Sequence, residues 1–421
     1  MHVDGYITLG SWAIVALTMA TPNTRLRAAE RRRQLVDVAT GLFLDRGYGN
    51  VSVSDIARAA GISGPSVYRH FPDKESILAA AMRSAVDEMS ATTERVLARP
   101  GATFDDLSSA VFAMAVSAPG PLALWRWNRR HLTAEQAREM IAASESVLGS
   151  WTEVLRRDHP EITDDDARVL SWAVLAVGGS VPPSRGRIGI RRYRADLETI
   201  AQRVLRAAPS KAPVLPAPPA RRAPVLRSDE ILDAASELFF SRGYSTVSMD
   251  DIGAAVGISG PSVYGHFPSK GSILVGVVGR ARAALEIGVI GAAGVSDGDP
   301  AVELRSLVRS YAANLVTSTD LAVAFTVGRE VVIESGGEAL LAAQKAYVAR
   351  WVALLSAASD GARSDGAGSD GSDGALDPAG ARIAVGAAMT IANDFARTRR
   401  LRRRPRFYDE LVFLVDTALG L

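Results

Sequence analysis

Apolar positions in this chain recur at steps of three and four residues. Leu35, Val38, Ala39, Leu42 and Phe43 fall on one helical face, which must be covered by something. The same period returns over 82–97, 104–116, 122–131, 134–156, 167–181 and 190–205. Breaks rich in proline and glycine separate these stretches at 99–101, 119–121 and 181–183. The pattern predicts an all-α chain of many helices.

Within it, one string occurs twice. Residues 61–71 read GISGPSVYRHF and residues 257–267 read GISGPSVYGHF, differing only at Arg69 and Gly265. At the same offset of 196, residues 34–78 and 230–274 match without a gap at 27 of 45 positions. This is a duplication at domain scale, not a solenoid period.

The string has a local physical reading. Ser52 with Asp55, and Ser248 with Asp251, have the spacing of a capping box, so a short helix starts at each. Gly61 and Gly257 follow where a left-handed residue would end that helix. Ser63 and Ser259 can cap a second helix, which tolerates Pro65 and Pro261 in its first turn. Two short helices about a glycine turn predict a helix-turn-helix, whose second helix enters the DNA major groove.

These residues carry a resemblance. LFLDRGY (42–48), VSVSDIARAAGIS (51–63), VYRHF (67–71) and PDKESIL (72–78) resemble the DNA-binding domain of the TetR family of bacterial transcriptional regulators. The second copy reads LFFSRGY, VSMDDIGAAVGIS, VYGHF and PSKGSIL, and the two together span about a quarter of the chain. The resemblance implies two helix-turn-helix domains, each followed by an all-helical ligand-binding and dimerisation domain, paired within one chain as a pseudo-dimer. The corresponding division is an extension at 1–24, a first head at 25–78 and a first helical domain at 79–208. A linker at 209–226, a second head at 227–274 and a second helical domain at 275–421 follow.

Carried over position by position, the resemblance places Ser63, Gly64, Pro65 and Ser66 at base edges, and Tyr68 and His70 at phosphates. Arg69 would reach a guanine edge or a phosphate. Ser259, Gly260, Pro261, Ser262, Tyr264 and His266 are the second copy's equivalents, and Ser52 and Ser248 flank the same surface. Arg33, with Arg25, Arg27, Arg31 and Arg32, is expected on an arm touching DNA, with a solvated face of the first helix as the alternative. The chain has four lysines, and Lys74 and Lys270 occupy one repeated position beside a helix start, which suits a phosphate. Phe112, Met114, Trp125, Trp127 and Trp151 in the first half, and Tyr311, Phe325 and Trp351 in the second, are candidates for an apolar effector pocket, with plain core packing as the alternative.

The connecting stretches read differently. The proline-rich linker favours an extended form reaching on the order of 50 Å. Residues 359–380, rich in Ser, Asp and Gly, predict a disordered surface loop. Basic residues 397–406 read as a loop before the last helix. Residues 1–20 fit the pattern poorly and read either as an over-called start, with Met19 as the natural one, or as a disordered tail.

Composition narrows the function. At 421 residues with 48% hydrophobic and 22% charged positions, the chain is globular with more than one domain. A net charge of +2 means any DNA-binding charge is local. There is no cysteine, and the five histidines lack metal-site spacing, so neither a metal nor another cofactor is expected. GISGP is not a nucleophile elbow, and no phosphate loop or H-E-x-x-H occurs, so no enzyme is expected. The expectation is a cytoplasmic regulator, a repressor, that binds double-stranded operator DNA and a small apolar or amphipathic effector, without a membrane partner. One chain is expected to act as a pseudo-dimer, with a homodimer as the other arrangement. A constitutive DNA-binding protein without effector, or a ligand- or partner-binding module with a degenerate second head, are the rival readings.

Overall fold

The computed structural model describes residues 22–128, 132–182, 188–220, 223–327, 329–364 and 376–421, all helix and loop, with no strand among them. The extension before residue 22 lies outside the described residues, as do the side chains of Arg25 and Arg27.

The first half opens with α1 (Pro22–Arg46), then the short α2 (Val53–Ala59) and α3 (Gly64–Tyr68). Next come α4 (Lys74–Leu97), α5 (Phe104–Ser117), α6 (Pro119–Asn128), α7 (Ala134–Asp158), α8 (Asp164–Gly178) and α9 (Ile190–Leu205). In the second half the order returns as α10 (Arg227–Arg242), α11 (Met249–Ala255), α12 (Gly260–Tyr264), α13 (Lys270–Val295) and α14 (Pro300–Thr317). It closes with α15 (Asp320–Thr326), α16 (Arg329–Glu334), α17 (Glu338–Ser364), α18 (Pro378–Arg397), α19 (Arg399–Arg402) and α20 (Phe407–Leu419).

Short-range polar residues set the starts. Thr103, Thr133, Thr163, Asp299 and Asp377 each accept from a backbone N–H in the first turn of α5, α7, α8, α14 and α18. Residues 119–121, expected as a loop, form the first turn of α6, where proline is tolerated. Gly120 there lets α6 close on α1, since a Cβ would lie 2.9 Å from Thr40 Cγ2.

The loop expected over 359–380 is shorter at both ends. α17 continues to Ser364, with the Ser359 hydroxyl donating to the Leu355 carbonyl at 2.9 Å. Asp377 restarts the chain as α18 by accepting from Gly380 N at 2.8 Å. The residues at 365–375 lie outside the described set. The basic stretch before the last helix also holds a turn of helix, α19, and three of its arginines are paired: Arg397 with Asp394, Arg404 with Glu410, Arg406 with Asp409.

Three apolar clusters hold the fold. One lies under each helix-turn-helix, and the third runs continuously through both halves. The two halves meet where α8 and α9 pack on α18 and α20. Val174, Leu197 and Ile200 share that core with Ile391, Phe395, Leu411 and Val415. Trp172 meets Phe395 edge to face at 5.5 Å between ring centroids, and Arg192 bonds Asp377 at 2.9 Å across the seam. The chain is thus an intrachain pseudo-dimer. Its linker starts docked: Ser210 donates from its backbone and its hydroxyl to Asp166 at 2.9 and 2.6 Å, and Leu215 N donates to Asp409 at 3.2 Å.

Candidate nucleic-acid interface

Each helix-turn-helix is assembled from a few local bonds. Ser52 Oγ accepts from Asp55 N at 3.1 Å while Asp55 accepts from Ser52 N at 3.0 Å, and Ser248 and Asp251 repeat this at 3.0 and 2.8 Å. These bonds from Ser248, backbone first, with help from Arg242, hold the Asp251 carboxyl down at about 2. Ser52 and Ser248, expected at DNA, are therefore committed as caps: each hydroxyl also bonds the same aspartate, at 2.6 and 2.7 Å. The turn needs Gly61 and Gly257, at φ +67° and +72°, where a side chain would strain the backbone.

On α3 the exposed face is ordered. Ser63 and Ser66 share a hydroxyl hydrogen bond at 2.9 Å, and Arg69 donates to Ser66 Oγ at 2.7 Å. Tyr68 stands 57% exposed beside them, while Val67 and Phe71 are buried beneath. His70 is half-buried, and Arg33 is exposed on α1. Arg32 turns back instead of outward, donating to the His70 carbonyl with its guanidinium 3.9 Å from the Phe71 ring centroid. On α12, Ser259 bonds Ser262 at 2.8 Å, and Tyr264 is 56% exposed. Pro65, Pro261 and His266 are exposed; Gly64 is half-buried and Gly260 buried.

The repeated lysines do something other than expected. Lys270 Nζ donates to the carbonyls of Tyr244, Ser245 and Val247 at 2.9, 3.4 and 2.8 Å, and sits 4.6 Å from the Tyr244 ring centroid. An ammonium has three protons, so Lys270 has none left for a phosphate. Lys74 donates to the Tyr48 carbonyl at 2.9 Å and lies 4.2 Å from that ring centroid. Burial holds both ammoniums below the ordinary lysine range. The position is a clamp on the loop that precedes the helix-turn-helix.

The pocket candidates divide. Phe112, Trp151, Tyr311 and Trp351 are fully buried core. Trp151 donates its indole N–H to Thr93 at 3.1 Å, and Tyr311 exchanges hydrogen bonds with Asn393. They fill space instead of lining it. Met114 packs against the same core, and the side chains of Trp125 and Trp127 lie outside the described residues. Phe325 does face open space. It lines a cleft between α13, α15 and α17. Val278, Leu285, Leu321, Leu341 and Tyr347 form its apolar wall, and the Arg282–Glu286 ion pair and Gln344 add the polar groups. Apolar periodicity does not single these residues out; comparing the two halves position by position is the signal that would have found them.

Two helices about a glycine turn, with a polar outer face and an apolar inner one, define a helix-turn-helix DNA-binding module, present here twice. The description "Bacterial regulatory proteins, tetR family" matches residues 35–81 and 231–277. Among curated proteins, the transcriptional repressor KstR2 of Rhodococcus jostii is 31% identical over 109 residues, 25% of this chain and 53% of its own. The repressor LfrR of Mycolicibacterium smegmatis is 28% identical over 38% of this chain and 84% of its own. A solved tetR-family regulatory protein from Rhodococcus RHA1 is 19% identical, covers 42% of this chain and 97% of its own, and has a TM-score of 0.38. The chain spans about half or less of the length of the first curated relatives it matches. The tetR family's DNA-binding domain thus occurs twice in this one polypeptide.

Proposed function

We propose that this protein is a sequence-specific transcriptional repressor, released from double-stranded DNA by a small apolar or amphipathic molecule. The exposed face of α3 carries the reading: Ser63, Ser66, Tyr68 and Arg69 stand together on a helix whose buried side is anchored by Val67. Hydroxyls and a guanidinium on such a helix are groups that read base edges in a major groove. Residues 25–78 and 227–274 are the heads, 79–208 and 275–421 the helical domains, and 209–226 the connection. An apolar cleft with three polar groups suits an effector of this class. Because α8, α9, α18 and α20 already cover one another, one chain serves where other arrangements would need two. No helix among the described residues is long and apolar enough to cross a membrane. As a reader of genomic DNA the protein acts in the cytoplasm, with no catalytic step assigned to it.

Selection of bound duplexes from a random pool tests this. A consensus should emerge, and Arg69→Ala should weaken binding to it by roughly 1–3 kcal/mol with relaxed preference at one position. A pool that never converges would refute the reading. Mass measurement on the selected duplex should give one chain per site, and two chains would favour the homodimer.

A further inference from the structure

Position by position, the two heads are not electrostatic equals. Residues 31–78 hold seven Lys+Arg against five Asp+Glu, and residues 227–274 hold three against six. The aligned heads therefore carry net +2 and −3. Arg32, Arg33, Arg58 and Arg69 in the first correspond to Ser228, Asp229, Ala254 and Gly265 in the second. DNA presents one negative charge per about 1.7 Å of helix axis, so this inversion opposes approach.

The geometry of the second recognition helix adds a local obstacle. Asp250 stands where the first head has Ser54. Its carboxylate lies over the first turn of α12: a Cβ built on Gly260 would be 1.8 Å from Asp250 Oδ1. The same point on Gly64 has nothing within 4 Å. A base edge or phosphate thus meets open space at α3 and an anion at α12.

The opposite asymmetry holds in the helical domains. Four positions around the cleft of the second half are Val278, Arg282, Ala324 and Leu340. Their counterparts, at offsets of 196 and 200, are Met82, Val86, Leu124 and Met140, all buried. Those four side chains belong to the apolar cluster that also supports the first head. At these four positions the second half borders a cleft, and the first half carries side chains packed beneath its reader.

We propose that the halves have divided the work: the first head alone enters the DNA groove, and the single effector site is the cleft of the second half, whose own head is closed to DNA by charge. The signal would cross the shared core, from α13 through α14 to α18 and α20, and so to α8 and α9. This rests on the repressor reading above.

Footprinting of the full chain on its selected duplex tests the first part. Protection should cover one half-site, and protection of two half-sites a helical turn apart would overturn the proposal while leaving the repressor reading intact. Failure to bind any duplex would sink both. The variant Asp250→Ser with Ala254→Arg and Gly265→Arg should extend protection to a second half-site. Its log affinity should fall more steeply with log salt, by about 0.9 for each further phosphate neutralised. Retained protection of the first half-site shows that the variant is folded, and no extension in such a protein refutes the electrostatic account. For the cleft, titration with 1-anilinonaphthalene-8-sulfonate should reveal one site per chain, lost in Ala324→Leu. Two sites, or one that survives Ala324→Leu, would overturn the division.

Discussion

Asp416 on α20 offers a sharp test of how the shared core is built. The residue lies against α14, and its Oδ1 is buried without a hydrogen-bond partner. Burial pushes its carboxyl up to about 7 from an ordinary value of 3.8, and Arg305 and Arg309 pull it only partly back. A carboxyl raised in the fold stabilises the folded state least when ionised. Its contribution is complete below pH ~4, is lost progressively as pH rises to ~7, and is constant above that. At about 1.36 kcal/mol per pH unit the loss approaches roughly 4 kcal/mol, a ceiling because the core can relax or admit water. Asp416→Asn keeps the shape and cannot ionise. Urea unfolding of both proteins from pH 4 to pH 8 gives the difference directly, with all other titrations cancelling. The variant should match the parent near pH 4 and exceed it by about 2–4 kcal/mol at pH 8. A difference that does not change with pH would show that Asp416 is hydrated in the fold and refute the reasoning.

Three further outcomes are expected. Lys270→Met should free three loop carbonyls and destabilise the second head by about 1–3 kcal/mol, read as faster amide hydrogen exchange over 243–247 with the first head unaffected. Trp351→Ala should cost about 3–5 kcal/mol in chemical unfolding, because the side chain is fully buried against Tyr311 and Tyr347. Arg280 bonds Asp233 of α10 at 2.7 Å and Asp320 of α15 at 2.9 Å, so Arg280→Met should loosen the second head from its helical domain, seen as earlier proteolysis between them.

Much of this protein is written in short stretches of its sequence. The duplicated string, the serine–aspartate caps and the two turn glycines act within three or four residues of one another. A backbone bond of that range needs little from the rest of the chain, so the helix-turn-helix was legible twice over. Helix periodicity likewise marked most of the long helices, because an apolar stripe must be buried whatever covers it. Tertiary structure decided the rest. Whether Lys74 and Lys270 face a phosphate or a carbonyl depends on where the loop after α1 and after α10 comes to lie, 26 residues earlier in the chain. Trp151, Tyr311 and Trp351 carry the same apolar character as pocket residues, and only the packing of neighbouring helices made them core. A cleft is a deficit of volume summed over side chains from distant helices, so Ala324 against Leu124 means nothing until α13, α15 and α17 are brought together. Asp416 reads as a surface carboxylate on an amphipathic helix, and its burial comes from α14, far earlier in the chain at Pro300–Thr317, packing beside α20.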